Sequence, residues 1–140
     1  MTTTSWDTII VGAGSAGCVL ANRLSCDPNH SVLLLEAGGS DRRLWVRLPI
    51  GYARTFRDPH VNWMYQTEPE PALDGRRSYW PRGKLLGGSG SINAMAYVRG
   101  LPQDFDGWRA LGNPGWGWSD VLPLFIATQD HADGADALRG

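Results

Sequence analysis

Asp7-Thr8-Ile9-Ile10-Val11-Gly12-Ala13-Gly14-Ser15-Ala16-Gly17 is the stretch on which the reading of this chain turns. Asp7–Val11 is a β-branched apolar run that stops at glycine, which reads as a buried parallel strand. Ala16, Val19, Leu20 and Leu24 then recur at helical spacing and predict a helix from Ala16 to Leu24. Asp27-Pro28-Asn29-His30 predicts a turn, and Val32–Leu35 a second buried strand. Strand, glycine loop, helix, turn and strand within about 30 residues is the size of one βαβ unit.

The loop fits G-x-G-x-x-G, a pattern that carries weight because it leaves a strand and opens a helix. Gly12 permits the tight turn, Gly14 lets a pyrophosphate approach the backbone, and Gly17 lets the helix pack on the strand. The helix start offers unpaired N–H groups to an anion. Glu36 ends the second strand, where a carboxylate can accept both ribose hydroxyls of an adenosine and would repel a 2′-phosphate. A dinucleotide site is expected at Gly12, Gly14, Ser15, Ala16, Gly17, Glu36 and Ala37, with NADP disfavoured. FAD and NAD both carry the same ADP half, so this fingerprint leaves them both open.

The rest of the chain sets bounds. Its 140 residues amount to one domain, with 42% hydrophobic and 19% charged residues, enough for a packed core. Eighteen glycines and nine prolines predict many turns. A net charge of -1 gives no basic excess for nucleic acid. No run of about 18 apolar residues offers a membrane span. Met1-Thr2-Thr3-Thr4-Ser5 lacks the basic start of a signal peptide, so a cytoplasmic setting is expected. Cys18 and Cys26, if on one helix, lie roughly 12 Å apart. A disulfide needs about 7 Å, so they read as two small buried, unpaired thiols.

Beyond Glu36 the pattern loosens. Residues 41–75 read as turns with one short strand candidate, Trp63–Thr67. A second glycine-rich stretch, Gly83-Lys84-Leu85-Leu86-Gly87-Gly88-Ser89-Gly90-Ser91, precedes a short helix expected near Ile92–Tyr97. Gln103–Leu111 reads as a helix with Phe105, Trp108 and Leu111 on one face. Asn113-Pro114-Gly115 is a turn, Ser119 an expected N-cap for a helix from Asp120 to about Thr128, and Asp130–Gly140 a polar loop. Only two parallel strands are evident, fewer than a doubly wound domain needs. The fold class is therefore α/β, a Rossmann-like βαβ unit (residues 6–37) with an irregular extension and an incomplete sheet.

Gly83–Asn93, Tyr97-Val98-Arg99-Gly100 and Asp104-Phe105-Asp106-Gly107-Trp108, with Gly12–Gly17, Glu36-Ala37-Gly38 and Asn62-Trp63, occur here in order. Together they resemble the first-half signature of the glucose-methanol-choline (GMC) oxidoreductases, the choline dehydrogenase-like branch most of all. The resemblance implies FAD as cofactor. It adds Trp63, Arg82, Leu86, Gly87, Gly88, Ser89, Asn93, Ala94, Met95 and Ala96 to the expected contacts. Gly87–Ser89 would pass under the pyrophosphate and ribityl chain, and Asn93–Ala96 would line the isoalloxazine ring. Trp63 is equally open to a core position. Gly90 stands where the family often has serine, which implies a looser loop. Some relatives tether flavin through a histidine just before this loop. Pro81-Arg82-Gly83 has none, which implies FAD held non-covalently.

The resemblance also implies oxidation of a small-molecule alcohol, by a histidine far beyond residue 140 and a substrate domain absent here. The chain is thus expected to be the N-terminal portion of a GMC FAD-binding domain (residues 1–140, second glycine loop 83–100), with no catalytic residue and no metal of its own. The alternative is a truncated, non-enzymatic chain that binds nucleotide weakly or not at all.

Overall fold

The computed structural model describes residues 5–140, so the reading made on residues 1–4 lies outside them. The chain divides into two compact units, residues 1–96 and 97–140.

In the first unit, β1 (Thr8–Val11) and β2 (Val32–Leu35) pair in parallel, Thr8 against Val32 through Val11 against Leu35. The crossover between them carries α1 (Ser15–Leu24). Ile10 points to α1 and is buried, because alternate residues of a strand face opposite sides. The expectation of strands buried on both faces is corrected. Ile9 is 56% exposed and Val11 83% exposed, since α1 covers one face of a two-stranded sheet. Cys18 and Cys26 are free, as expected, but exposed rather than buried. Cys26 lies beyond the end of α1.

Residues 41–58 are more helical than their sequence suggests. Two single turns, α2 (Leu44–Arg47) and α3 (Tyr52–Thr55), flank a 3₁₀ turn at Pro49–Gly51. The expected strand at Trp63–Thr67 narrows to β3 (Tyr65–Gln66), which pairs antiparallel with β4 (Tyr79–Trp80). The helix expected at Ile92–Tyr97 is absent. A 3₁₀ turn at Gly88–Ser91 stands before it. The Asn93 side-chain oxygen then accepts the Met95 N–H at 2.8 Å, and Met95 takes φ 60, which breaks helical hydrogen bonding. Val61, Leu85 and Ile92 form the core of this unit.

The second unit is a helical hairpin, α4 (Pro102–Ala110) and α5 (Trp118–Ala127). Phe105 is its buried centre, with ring centroids of Trp108, Trp118 and Phe125 at 5.3, 5.6 and 5.7 Å. Leu111 lies past the end of α4 and is 83% exposed, so it does not share the buried face. The expected Ser119 cap is also corrected. The cap lies two positions earlier, at Gly117, whose N–H donates to the Asp120 carboxylate at 3.0 Å. In the polar tail Arg139 pairs with Asp136 and holds its carboxyl down to about 2. No helix of the described residues is long and apolar enough to cross a membrane.

The open ends of the parallel strands are clamped by one carboxylate. Asp7 Oδ2 accepts the Ser31 hydroxyl at 2.7 Å and the Ser31 N–H at 2.8 Å. These bonds lower the Asp7 pKa below its ordinary 3.8. A depressed carboxylate pKa stabilises the fold above the unfolded-state value, and that contribution disappears as pH falls through the folded-state value. Asp7→Asn is therefore expected to melt below the parent chain at pH 7. The gap should close on acidification below about pH 3.8; a gap unchanged down to pH 2 would contradict this.

Candidate functional site

The G-x-G-x-x-G loop is shaped by a close backbone approach. A Cβ on Gly17 would lie 2.0 Å from the Gly12 carbonyl oxygen, so only glycine lets α1 sit this near the end of β1. At Gly14 a Cβ would meet nothing within 4 Å. The backbone there faces open space. The first-turn N–H groups of α1 make no backbone hydrogen bond before Cys18, whose N–H donates to Gly14 at 2.9 Å, and Gly14 offers no side-chain cap. Donors without a backbone partner at the start of a helix suit an anion.

The second glycine loop lies against the first. Gly87 N–H donates to the Ala13 carbonyl at 2.8 Å, and Gly14 and Gly87 form an isolated parallel bridge. Gly88 has φ 56, and a Cβ on it would come within 2.9 Å of Gly14 Cα. Leu86 N–H donates to Gly39 at 2.9 Å, which ties the same loop to the segment after β2. Leu85, fully buried, anchors it from below.

Glu36 joins the pieces. Its Oε2 accepts the Ala13 N–H and its Oε1 the Gly38 N–H, both at 2.8 Å. The carboxylate thus closes the first loop onto the end of β2. Two oxygens provide about four acceptor positions, so capacity remains for a ligand.

These groups open on a cleft of about 570 Å³ lined by Val11, Gly12, Gly14, Leu35, Glu36, Ala37, Trp63, Gly83, Gly88 and Ser89. Of the expected contacts, Gly12, Gly14, Glu36, Ala37, Trp63, Gly88 and Ser89 come together here. Trp63 is not a core residue: it is 41% exposed, stacked on Tyr65 at 5.8 Å, with the Lys84 ammonium 4.6 Å from its ring centroid. Val11, Leu35 and Gly83 line the cleft without having been expected; the first two are the strand ends that flank the motif. Ser15, Ala16, Gly17, Leu86 and Gly87 are not among its lining residues. Arg82 is exposed, its guanidinium 5.1 Å from the Trp80 ring centroid. Asn93 and Met95 line a second cavity of about 220 Å³ with Ser91, Trp45 and Tyr52, while Ala94 and Ala96 are exposed and line neither.

Asn62, absent from the expected contacts, organises the second loop. It is 2% exposed. Its amide nitrogen donates to Phe56 O at 3.0 Å and to Tyr79 Oη at 3.2 Å. Its oxygen accepts Met64 N–H at 2.9 Å and Arg82 N–H at 3.0 Å. Its neighbour Trp63 marked this place in the sequence, but a buried amide hub has no local signature.

Residues 6–131 match the family described as GMC oxidoreductase. The chain belongs to that family. It is similar to the oxygen-dependent choline dehydrogenase of Vibrio vulnificus, 51% identical over 96% of this chain and 24% of that protein. Among solved structures it resembles pyridoxine 4-oxidase from Mesorbium loti, with a TM-score of 0.88 and 42% identity over 97% of this chain and 27% of that one. An FAD-dependent oxidoreductase from Chaetomium thermophilum gives a TM-score of 0.76 and 32% identity, covering 97% and 25%. The chain spans about a quarter of the length of the curated relatives it matches.

The two family glycines at the loop differ in what a methyl group would do. Gly17→Ala is expected to lose about 1–3 kcal/mol of stability, since backbone must shift to admit the Cβ. Gly14→Ala should lose no more than about 1 kcal/mol. Denaturant melts of the two variants check this; equal losses would contradict the geometry.

Proposed function

We propose that this chain binds FAD, non-covalently, as the N-terminal portion of the nucleotide-binding domain of an alcohol oxidoreductase that acts on small CH–OH donors. The observation that carries the reading is the contact of two glycine loops, at Gly14 and Gly88, around a cleft closed on one side by Glu36. A Rossmann-like βαβ unit alone would serve NAD equally well. The second loop, and the family that has it, favour a flavin.

The residues present fit such a ligand. The first-turn N–H groups of Ser15, Ala16 and Gly17 would meet the pyrophosphate, aided by the positive end of the α1 dipole. Gly14 and Gly88 leave room for that approach. Glu36 would accept the ribose hydroxyls with its remaining lone pairs. Trp63 would form an apolar wall. Asn93–Ala96 would lie along the ring, with Leu86 and Arg82 supporting the strand of chain that leads there. Bound FAD supplies a two-electron acceptor for the hydride of the alcohol. Relatives named for choline and for pyridoxine, both of which carry hydroxyls, support that donor class. The two free thiols fit a reducing setting such as the cytoplasm.

A base that removes the hydroxyl proton must come within roughly 2.6–3.2 Å of it. Neither His30 nor His60 lines the cleft. His30 Nε2 is 2.9 Å from Thr8 Oγ1, at the opposite end of β1. The chain by itself, with FAD and choline or simple primary alcohols, is expected to reduce a dye acceptor no faster than free flavin. Turnover above that background would show that the base lies among these residues. The second reading, a chain with weak or no nucleotide binding, is favoured only by the exposed Ile9, Val11 and Leu35 of the sheet.

FAD titration separates the two readings. Quenching of flavin fluorescence with saturable affinity is expected, with NAD failing to compete. Glu36→Ala should weaken FAD about 10- to 150-fold, the loss of charge-assisted hydrogen bonds. It should also cost about 1–3 kcal/mol of stability, because the Ala13 and Gly38 N–H groups lose their acceptor. Equal FAD affinity in the variant would remove Glu36 from the site.

A further inference from the structure

Two Asn-x-Met segments of this chain fold alike. Asn62 Oδ1 accepts the Met64 N–H at 2.9 Å, and Asn93 Oδ1 accepts the Met95 N–H at 2.8 Å. In each, the methionine is left-handed, with φ 54 at Met64 and φ 60 at Met95. Residues with side chains rarely adopt that region, and those that do there are held by their surroundings.

The two asparagines sit in different places. Asn62 is buried, and its whole carboxamide is used to join the segments around it. Asn93 is exposed, and among the described residues its amide nitrogen makes no hydrogen bond. Its one bond is the one that bends the backbone. Immediately before it, Ile92 is buried in the core with Val61 and Leu85. The turn therefore starts from a fixed point, and the direction of the backbone after it depends on the Asn93 oxygen. A helix, which the spacing of Ile92–Tyr97 would otherwise favour, is prevented here. An uncommon conformation held by an exposed side chain points to a purpose other than stability.

We infer that Asn93 is a positioning residue: its carboxamide oxygen holds Met95 in the left-handed turn, and this turn sets the backbone of residues 93–96 against the flavin ring. The inference rests on the proposal that residues 93–96 lie along that ring. The oxygen acts through the backbone and does not itself touch the cofactor. Glycine at position 95 adopts positive φ without help, so it should make the Asn93 oxygen dispensable.

Four forms of the chain test this: the parent, Asn93→Ala, Asn93→Asp, and Asn93→Ala combined with Met95→Gly. Without FAD, Asn93→Ala is expected to melt about 3–5 °C below the parent. The Asp variant, which keeps an acceptor, and the double variant should melt close to the parent. In FAD titrations Asn93→Ala should bind about 5- to 10-fold more weakly, with the other two within about twofold of the parent. A double variant that binds as weakly as Asn93→Ala would overturn the inference, because the oxygen would then be a direct ligand. Melting points that follow the pattern while all four bind FAD equally would overturn it differently: the turn would be structural, and FAD binding itself would stand. A parent chain that binds no FAD would sink the broader proposal, and this one with it.

Discussion

The structure depends on one close approach between backbones. Gly88 lies so near Gly14 that a single added methyl carbon would collide with the Gly14 Cα. Neither glycine loop makes a site alone. The first has donors without walls, and the second is a turn with nothing to turn around. Pressed together, they bring bare glycine backbone, a carboxylate and an indole around one cleft. The absence of side chains at these positions is thus a spatial requirement of the fold before it is a requirement of any ligand.

The approach is held from three sides. Glu36 fixes the first loop by accepting from Ala13 and Gly38. Asn62 fixes the entrance of the second through Arg82, and the Ser89 hydroxyl accepts the Gly83 N–H at 3.0 Å across its mouth. Buried Leu85 and Ile92 fix its floor. Buried polar groups stabilise only when they are satisfied, and Asn62 uses both its oxygen and its nitrogen. Glu36 shows how a single side chain can serve fold and ligand together: two acceptor positions close the loop, and the rest remain for hydroxyl groups.

What the sequence disclosed follows from the range of the interactions involved. β1, α1 and β2 were legible to within a residue, because strand and helix periods are written in adjacent residues. The glycine fingerprint and Glu36 were legible for the same reason. The burial of the strands was overestimated, since apolar character shows which side could be covered and not whether it is. β4 was missed because Tyr79–Trp80 has no alternation of its own and is a strand only through its partner β3. Asn62 is absent from the expected contacts because its partners other than Met64 lie 6 to 20 positions away. The helix expected after Ile92 failed at a local rule instead: an asparagine that captures the N–H two residues on competes with helical hydrogen bonding.

Amide hydrogen exchange, followed residue by residue with and without FAD, tests the joint cradle most directly. The account predicts that FAD slows exchange at Ser15, Ala16 and Gly17 and at Gly88 and Ser89 together, over the same range of FAD concentration. Protection confined to one of the two loops, or present in neither, would contradict it.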